Sequence, residues 1–289
     1  MDHVPETQVE RVFARIGEVS SLPHVAMEII ELAGDPLAEA DDLLEAVRRD
    51  PALAMRLMRT VNSSYYALSE KIADLKQAIT LLGFKEVRNL AMTAYISQLF
   101  RETSDYGNYS RHGLWNHMVG TAMVARLIAQ TCRKVQPQEA YLAGLLHDVG
   151  FILIDQHLHN SFTQVLDALT ERSPVCGVES KFLGFDHAAL GEHVAIRWRL
   201  PAPIAATIGY HHTPTAYNGP HADVVNIVAL ADCLCDLKGL TALGIRTAPI
   251  PSAQLFADLG LQRDDLSSIL EKLDEVLTAA DTMALVQVR

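Results

Sequence analysis

Apolar residues recur along this chain at helical spacing, and the breaks between the runs carry helix start and stop signals rather than hairpin turns. Val9, Val12, Phe13 and Ile16 share one face of a helix expected over Gln8 to Val19. Ser21-Leu22-Pro23 opens a second, which Gly34-Asp35-Pro36 stops, and Asp41 or Asp42 can cap a short third reaching Val47. Asp50-Pro51 starts the next, with aspartate as N-cap and proline at the first helical position, and Asn62-Ser63-Ser64 ends it. Asp74 caps a helix running to Leu82, Gly83 breaks it, and Phe84 to Phe100 makes another. Strand-like alternation of Val, Ile, Thr and Tyr is hard to find. With 289 residues, 49% of them apolar and only 6% aromatic, the sequence predicts an all-α chain with room for one large or two modest cores.

Charge and cysteine usage narrow the function. A formal net charge of −11 argues against non-specific binding of nucleic acid or anionic membrane, which needs clustered Lys and Arg. A phosphate ligand would therefore need local positive charge of another kind, such as a metal. The apolar runs are interrupted by His, Asp or Gly well short of a membrane span. Cys132, Cys176, Cys233 and Cys235 lack C-x-x-C spacing and read as buried thiols. With no signal peptide in view, the expected compartment is a reducing cytoplasm.

The chemistry-bearing residues lie in the second half. Arg101 to Tyr109 is polar and reads as a connection, dividing residues 1–107, a helical bundle suited to partner contacts, from residues 108–289. Ser110 can cap a helix on which Leu114, His117, Thr121 and Val124 run along one face, while His112 falls on another. Pro137 starts the helix that leads through Leu142, Leu145 and Leu146 into His147-Asp148, with Gly150 following. Adjacent imidazole and carboxylate can turn toward one cation, and a carboxylate can bridge two, although an isolated His-Asp is usually just a polar step at a helix end. Asp186 can cap a helix carrying His187, Leu190, Gly191 and Val194. His187 rather than His193 is the inward candidate, because Gly191 on its face admits a close approach. Pro203 opens a helix ending in His211-His212, where a solvated turn is the plain alternative. Asp232 lies among Val228, Ala229, Leu230 and Ala231, with Asp236 one turn on, and if buried it needs a cation or a histidine beside it.

Two resemblances follow from these residues. Leu22-Pro23, Asp50-Pro51, Val61-Asn62-Ser63, Ala78 to Gly83 and Val87-Arg88-Asn89-Leu90 resemble, in order, the bacterial HD-related output domain, HDOD, over about residues 20 to 215. The later series is similar to the HD phosphohydrolase superfamily and its two-metal HD-GYP branch. That resemblance implies an N-terminal HDOD subdomain packed on an HD-like subdomain. It also implies one divalent metal held by His117, His147, Asp148 and Asp232, and a second bridged by Asp148 and held by His187, His211 and His212. Imidazole and carboxylate ligation suits Fe, Mn, Zn or Ni.

The implied function is a signalling output module that acts through an unidentified protein partner and keeps the metals for structure or sensing. The alternative is a metal-dependent phosphodiesterase hydrolysing a (cyclic di)nucleotide, with Asp148 catalytic; a metal-free His-Asp hydrogen-bond network is a third reading. Three departures weigh against hydrolysis. Phe151 stands where the HD-GYP pattern has lysine, Gly113 replaces a carboxylate used for a third metal, and Thr213 to Pro220 lacks the Gly-Tyr-Pro segment. The tail from Ser252 to Val288 reads as two amphipathic helices that either pack on the HD-like part or form a homodimer contact.

Overall fold

Helix boundaries in the computed structural model follow local capping chemistry closely. It describes residues 22–288 except 64–67, 69, 102–104 and 172, together with residues 10, 12, 13 and 16. Most of the helix expected over Gln8 to Val19 lies outside the described residues, as does Ser64.

The first half holds α1 (His24–Gly34), α2 (Ala40–Arg48), α3 (Pro51–Val61), α4 (Leu75–Leu82) and α5 (Phe84–Ile96), which runs into a 3₁₀ turn at Ser97–Phe100. Asp50 accepts from the amides of Ala52 and Leu53 at 2.9 and 3.0 Å, and Asp74 accepts from that of Gln77, so both caps act as their positions suggest. The cap of α2 differs. Glu39 takes the N-cap position, and the carboxylate of Asp42, three residues on, accepts from the Glu39 amide at 2.8 Å, making a capping box. Asp42 is thus the box partner rather than the cap. Gly83 breaks the chain between α4 and α5 at φ +75°, a backbone region that glycine enters at little cost.

The expected connection before Tyr109 contains a small antiparallel hairpin, β1 (Asp105–Tyr106) with β2 (Tyr109–Ser110). Gly107, at φ +58°, makes its turn. The second half then runs α6 (Arg111–Cys132), α7 (Pro137–Leu146), α8 (Val149–His157), α9 (His159–Ala168), α10 (Val175–Leu183), α11 (His187–Arg197), α12 (Ala202–Tyr210), α13 (Ala222–Leu237), α14 (Ala253–Leu259) and α15 (Arg263–Val288). The fold is all-α. Ser110, Asp186 and Ser252 cap α6, α11 and α14. Pro201, rather than Pro203, takes the position before α12, and Pro203 falls in its first turn. Cys233 and Cys235 are buried free thiols, whereas Cys132 and Cys176 are only partly buried. Among the described residues no helix is long and apolar enough to cross a membrane.

The long α6 is the central strut. It packs on α7, α13 and α15, while α5 joins α1 and α3 on one side to α7 on the other. The tail helices therefore lie against this body, α15 on α6 and α14 on α13. Helices approach closely where side chains are smallest. A Cβ on Gly144 would stand 2.9 Å from the Ala122 Cα and the Thr121 carbonyl oxygen, and one on Gly150 would overlap the carbonyl of His187. Gly150 lets the start of α8 press directly on the first residue of α11, which holds Asp148 and His187 in one layer.

Substituting Gly150→Ala should therefore cost about 3 kcal/mol in denaturant unfolding, because backbone rather than a flexible side chain opposes the methyl. Gly34→Ala, with nothing within 4 Å of the new carbon, should instead gain up to about 1 kcal/mol from helix propensity. Equal effects of the two would remove the packing argument.

Candidate metal centre

Five helix ends and helix interiors deliver the seven polar residues to one point. His117 comes from the second turn of α6, whose start is fixed by the Ser110 hydroxyl accepting from the Gly113 amide at 2.9 Å. His147 and Asp148 occupy the break between α7 and α8. His187 opens α11, which Asp186 caps by accepting from the Ala189 amide at 2.8 Å. His211 and His212 follow the last residue of α12, and Asp232 lies in the interior of α13. All are buried except His212, which is partly exposed. His112, the residue assigned to solvent, is exposed.

The seven form two sets that share one carboxylate. Oδ2 of Asp148 lies 3.2 Å from His147 Nε2 and 3.4 Å from His117 Nε2, and the latter is 3.3 Å from Asp232 Oδ1. Oδ1 of Asp148 turns the other way, 3.3 Å from His211 Nε2 and 3.5 Å from His187 Nε2. His212 Nε2 completes the second set, 3.0 Å from His187 Nε2.

Hydrogen bonds on the far side of the rings fix how these nitrogens face inward. Nδ1 of His117 donates to the Leu240 carbonyl at 2.7 Å, that of His147 to the Gly144 carbonyl at 2.7 Å, and that of His211 to the Ile208 carbonyl at 2.9 Å. Nδ1 of His187 donates to Glu179 Oε2 at 2.6 Å. A carbonyl or carboxylate oxygen accepts, so each of these Nδ1 atoms carries a proton and Nε2 is the ring atom left to face the centre. His117 Nε2 and His147 Nε2 face each other at 3.3 Å, and Asp148 Oδ1 is buried without a hydrogen-bond partner among the described residues. Lone pairs and carboxylate oxygens converging in a buried space call for positive charge. The donor set fits divalent metal ions: His117, His147 and Asp148 could hold one, with Asp232 beside them at 3.3 Å from His117 Nε2, and Asp148, His187, His211 and His212 could hold another.

Protonation follows the same logic. Burial disfavours charge on His117, but Asp148 and Asp232 outweigh it and push the imidazole up to about 10 when no cation is present. Burial alone would raise Asp148, yet His147, His117 and His187 hold it well below the usual carboxylate range. His211 is pushed down by burial, and His212 further still by burial and by the neighbouring His211 and His187, so both stay neutral, the form that binds metals.

Residues 19–214 match the profile of the HDOD domain. The chain belongs to the HDOD family. It is 26% identical over 223 residues to an uncharacterized protein of Treponema pallidum, a match covering 75% of this chain and 42% of the relative. The chain therefore spans less than half the length of that curated relative. Among solved structures it is similar to an HDOD domain protein of unknown function from Geobacter sulfurreducens, at 27% identity and a TM-score of 0.78 over 96% of this chain and 99% of the other. A Marinobacter aquaeolei VT8 protein assigned to signal transduction shares the fold at 24% identity and a TM-score of 0.80, with 98% of this chain and 65% of the other covered.

Around this HDOD centre lie groups that sequence reasoning missed. Glu179 reaches His187 from α10, turned toward it by Gly184 at φ +83°. It sits eight residues before its partner on a different helix, so no helical spacing marks it. The Leu240 carbonyl lies beyond the end of α13 and carries no sequence signal. Phe151 stacks on His187 with ring centroids 3.8 Å apart and planes 16° from parallel. A pocket of about 340 Å³ adjoins the second set, lined by His211 and His212 together with Pro214, Ala229, Ile250 and Leu255. Among the described residues, no Lys, Arg, Asp or Glu lines it.

Glu179→Ala should weaken metal binding at the His187 set about 10- to 100-fold by calorimetric titration, with Glu179→Gln retaining more because it keeps an acceptor for Nδ1. Unchanged affinity in Glu179→Ala would remove this role. At neutral pH a metal entering the first set must displace the proton on His117, so affinity there should rise about tenfold per pH unit up to the imidazole's value of about 10. A pH-independent affinity between neutrality and that value would contradict the assignment.

Proposed function

We propose that this HDOD chain is a bacterial signalling output module that acts through contacts with a protein partner and holds two divalent metal ions for structure or sensing. One observation carries the reading. The two oxygens of a single buried carboxylate, Asp148, face two separate sets of inward-pointing imidazole nitrogens. His117, His147 and Asp232 would complete the first ion's ligands, and His187, His211 and His212 the second's. Bound ions of this kind can polarise phosphate oxygens and activate water, so the alternative of a phosphodiesterase has to be weighed against the surroundings.

Those surroundings favour retention without turnover. Phosphoryl chemistry gains from cations that bind the non-reacting oxygens and stabilise developing charge. Phe151 fills the place of the expected lysine and covers one face of His187 with a ring. Among the described residues, the pocket wall beside His212 brings no basic side chain, and its loop reads Thr213-Pro214-Thr215-Ala216. A partner would read the state of the centre through helices that carry its ligands, since α6 also contacts α15 and α7 also contacts α5.

Elemental analysis of wild type, His117→Ala and Asp148→Ala tests this reading. About two metal ions per chain are expected in wild type and none in Asp148→Ala, because that residue serves both sets. His117→Ala should keep the ion of the second set. No metal in a folded wild-type protein would leave the hydrogen-bonded network instead. Metal-stimulated hydrolysis of a cyclic dinucleotide, abolished in Asp148→Ala, would make the chain an enzyme.

A further inference from the structure

We propose that Leu240 is a positioning residue for His117, and that α15, packed beside Leu240, sets how tightly the first ligand set holds its ion. The proposal rests on the metal-holding reading above and names what regulates that centre. It starts from a contrast among the anchored rings. His147 and His211 donate from Nδ1 to carbonyls only three residues back, those of Gly144 and Ile208, so ring and anchor move together. Nδ1 of His117 instead donates to a carbonyl 123 residues away in the chain. Displacing Leu240 therefore turns this imidazole and leaves the other two where they are.

The end of α13 brings that carbonyl round to His117. Gly239 takes φ +84°, its amide donates to the Asp236 carbonyl at 3.0 Å, and the Leu240 amide donates to the Cys235 carbonyl at 3.0 Å, which together make a Schellman turn. The chain folds back so that α13 and its turn meet both edges of one ring. Asp232 Oδ1 lies 3.3 Å from His117 Nε2, and the Leu240 carbonyl oxygen lies 2.7 Å from Nδ1. The Leu240 side chain lies over Gly120 of α6, close to one helical turn beyond His117. A Cβ on Gly120 would overlap that side chain and would stand 3.4 Å from Leu277 Cδ2 of α15. Leu240 and Leu277 thus share the space that the glycine leaves open. Lys238, at the start of the same turn, pairs with Asp274 of α15 at 2.6 Å. Both members are exposed, so the pair adds little energy, but Asp274 and Leu277 lie three residues apart on one face of α15. That face covers the turn holding the His117 ring.

Calorimetric titration of Mn²⁺ into the metal-stripped full chain tests this, with Leu240→Ala, Leu277→Ala and Leu277→Met beside wild type. Each alanine variant should weaken one of the two ions about tenfold and leave the other unchanged, and Leu277→Met, which keeps the bulk, should restore most of the affinity. In a His117→Ala background, where the second set alone remains, Leu277→Ala should change nothing. A general loosening of the bundle would weaken both ions, and that result overturns the proposal. Because the two leucines act through one contact, the double variant should lose no more than either single one, and additive losses overturn it as well. Coupling is reciprocal, so filling the centre should slow amide hydrogen exchange in α15 about tenfold in wild type and much less in Leu277→Ala. Unchanged exchange in wild type removes the link even if an alanine variant fails to fold. Two bound ions that neither leucine affects overturn the proposal alone, and a folded wild type that takes up no Mn²⁺ overturns the metal-holding reading with it.

Discussion

Burying one carboxylate between five imidazoles sets the terms for the second half of the molecule. Asp148 stays ionised in a space from which water is excluded, and an ion there must be compensated locally or it costs several kcal/mol. Compensation requires donors or cations on both sides, because its two oxygens point to different sets. Four of the five rings are anchored at Nδ1, three by main-chain carbonyls and His187 by Glu179. The geometry is held from outside, by groups that never touch the centre. Asp236 shows the cost of extending the cluster: burial and the nearby Asp232 push its carboxyl up to about 6.

That arrangement explains why the helices pack as they do. Residues 147 and 148 can share a layer with His187 only if α8 begins against α11 with no side chain between them, and Gly150 meets this condition. Gly191 repeats it on α11, where a Cβ would come 2.6 Å from the Ile208 side chain and 3.4 Å from the Gly150 amide. The reason for choosing His187 over His193, a close approach at Gly191, thus corresponds to an actual contact, and it brings α12 and its terminal histidines within reach. Phe151, one residue after the glycine, then falls onto the His187 ring. An apolar stack there keeps water off that ligand and leaves no charge beside it, a coupling of packing with chemistry that suits holding ions more than turning over phosphate.

Much of this was legible in the chain because it is local. Asp50, Asp74, Ser110, Asp186 and Ser252 act as caps through bonds to amides two or three residues away, and such bonds depend only on nearby sequence. The capping box at Glu39 was missed since a glutamate cap is uncommon and the pair Asp41-Asp42 supplied the usual residue types. The hairpin before α6 was missed because two-residue strands leave no alternation to read. Helix face marked His117 as inward and His112 as outward, and the family resemblance supplied the rest of the candidate set, but Glu179 acts from another helix and Leu240 acts through its backbone.

The sequence by itself determined that the chain is helical, where most helices begin, and that His117 rather than His112 lies on an inward face, since these follow from periodicity and capping within one turn. Only the tertiary structure decided that Asp148 is shared, with Oδ2 facing one set and Oδ1 the other. It also decided that Phe151 lies on His187, and that the pocket at His212 is walled by residues more than thirty positions away in sequence, such as Ile250 and Leu255. These depend on how distant helices cross, and crossing is set by contacts such as Gly150 against His187 that no local pattern encodes.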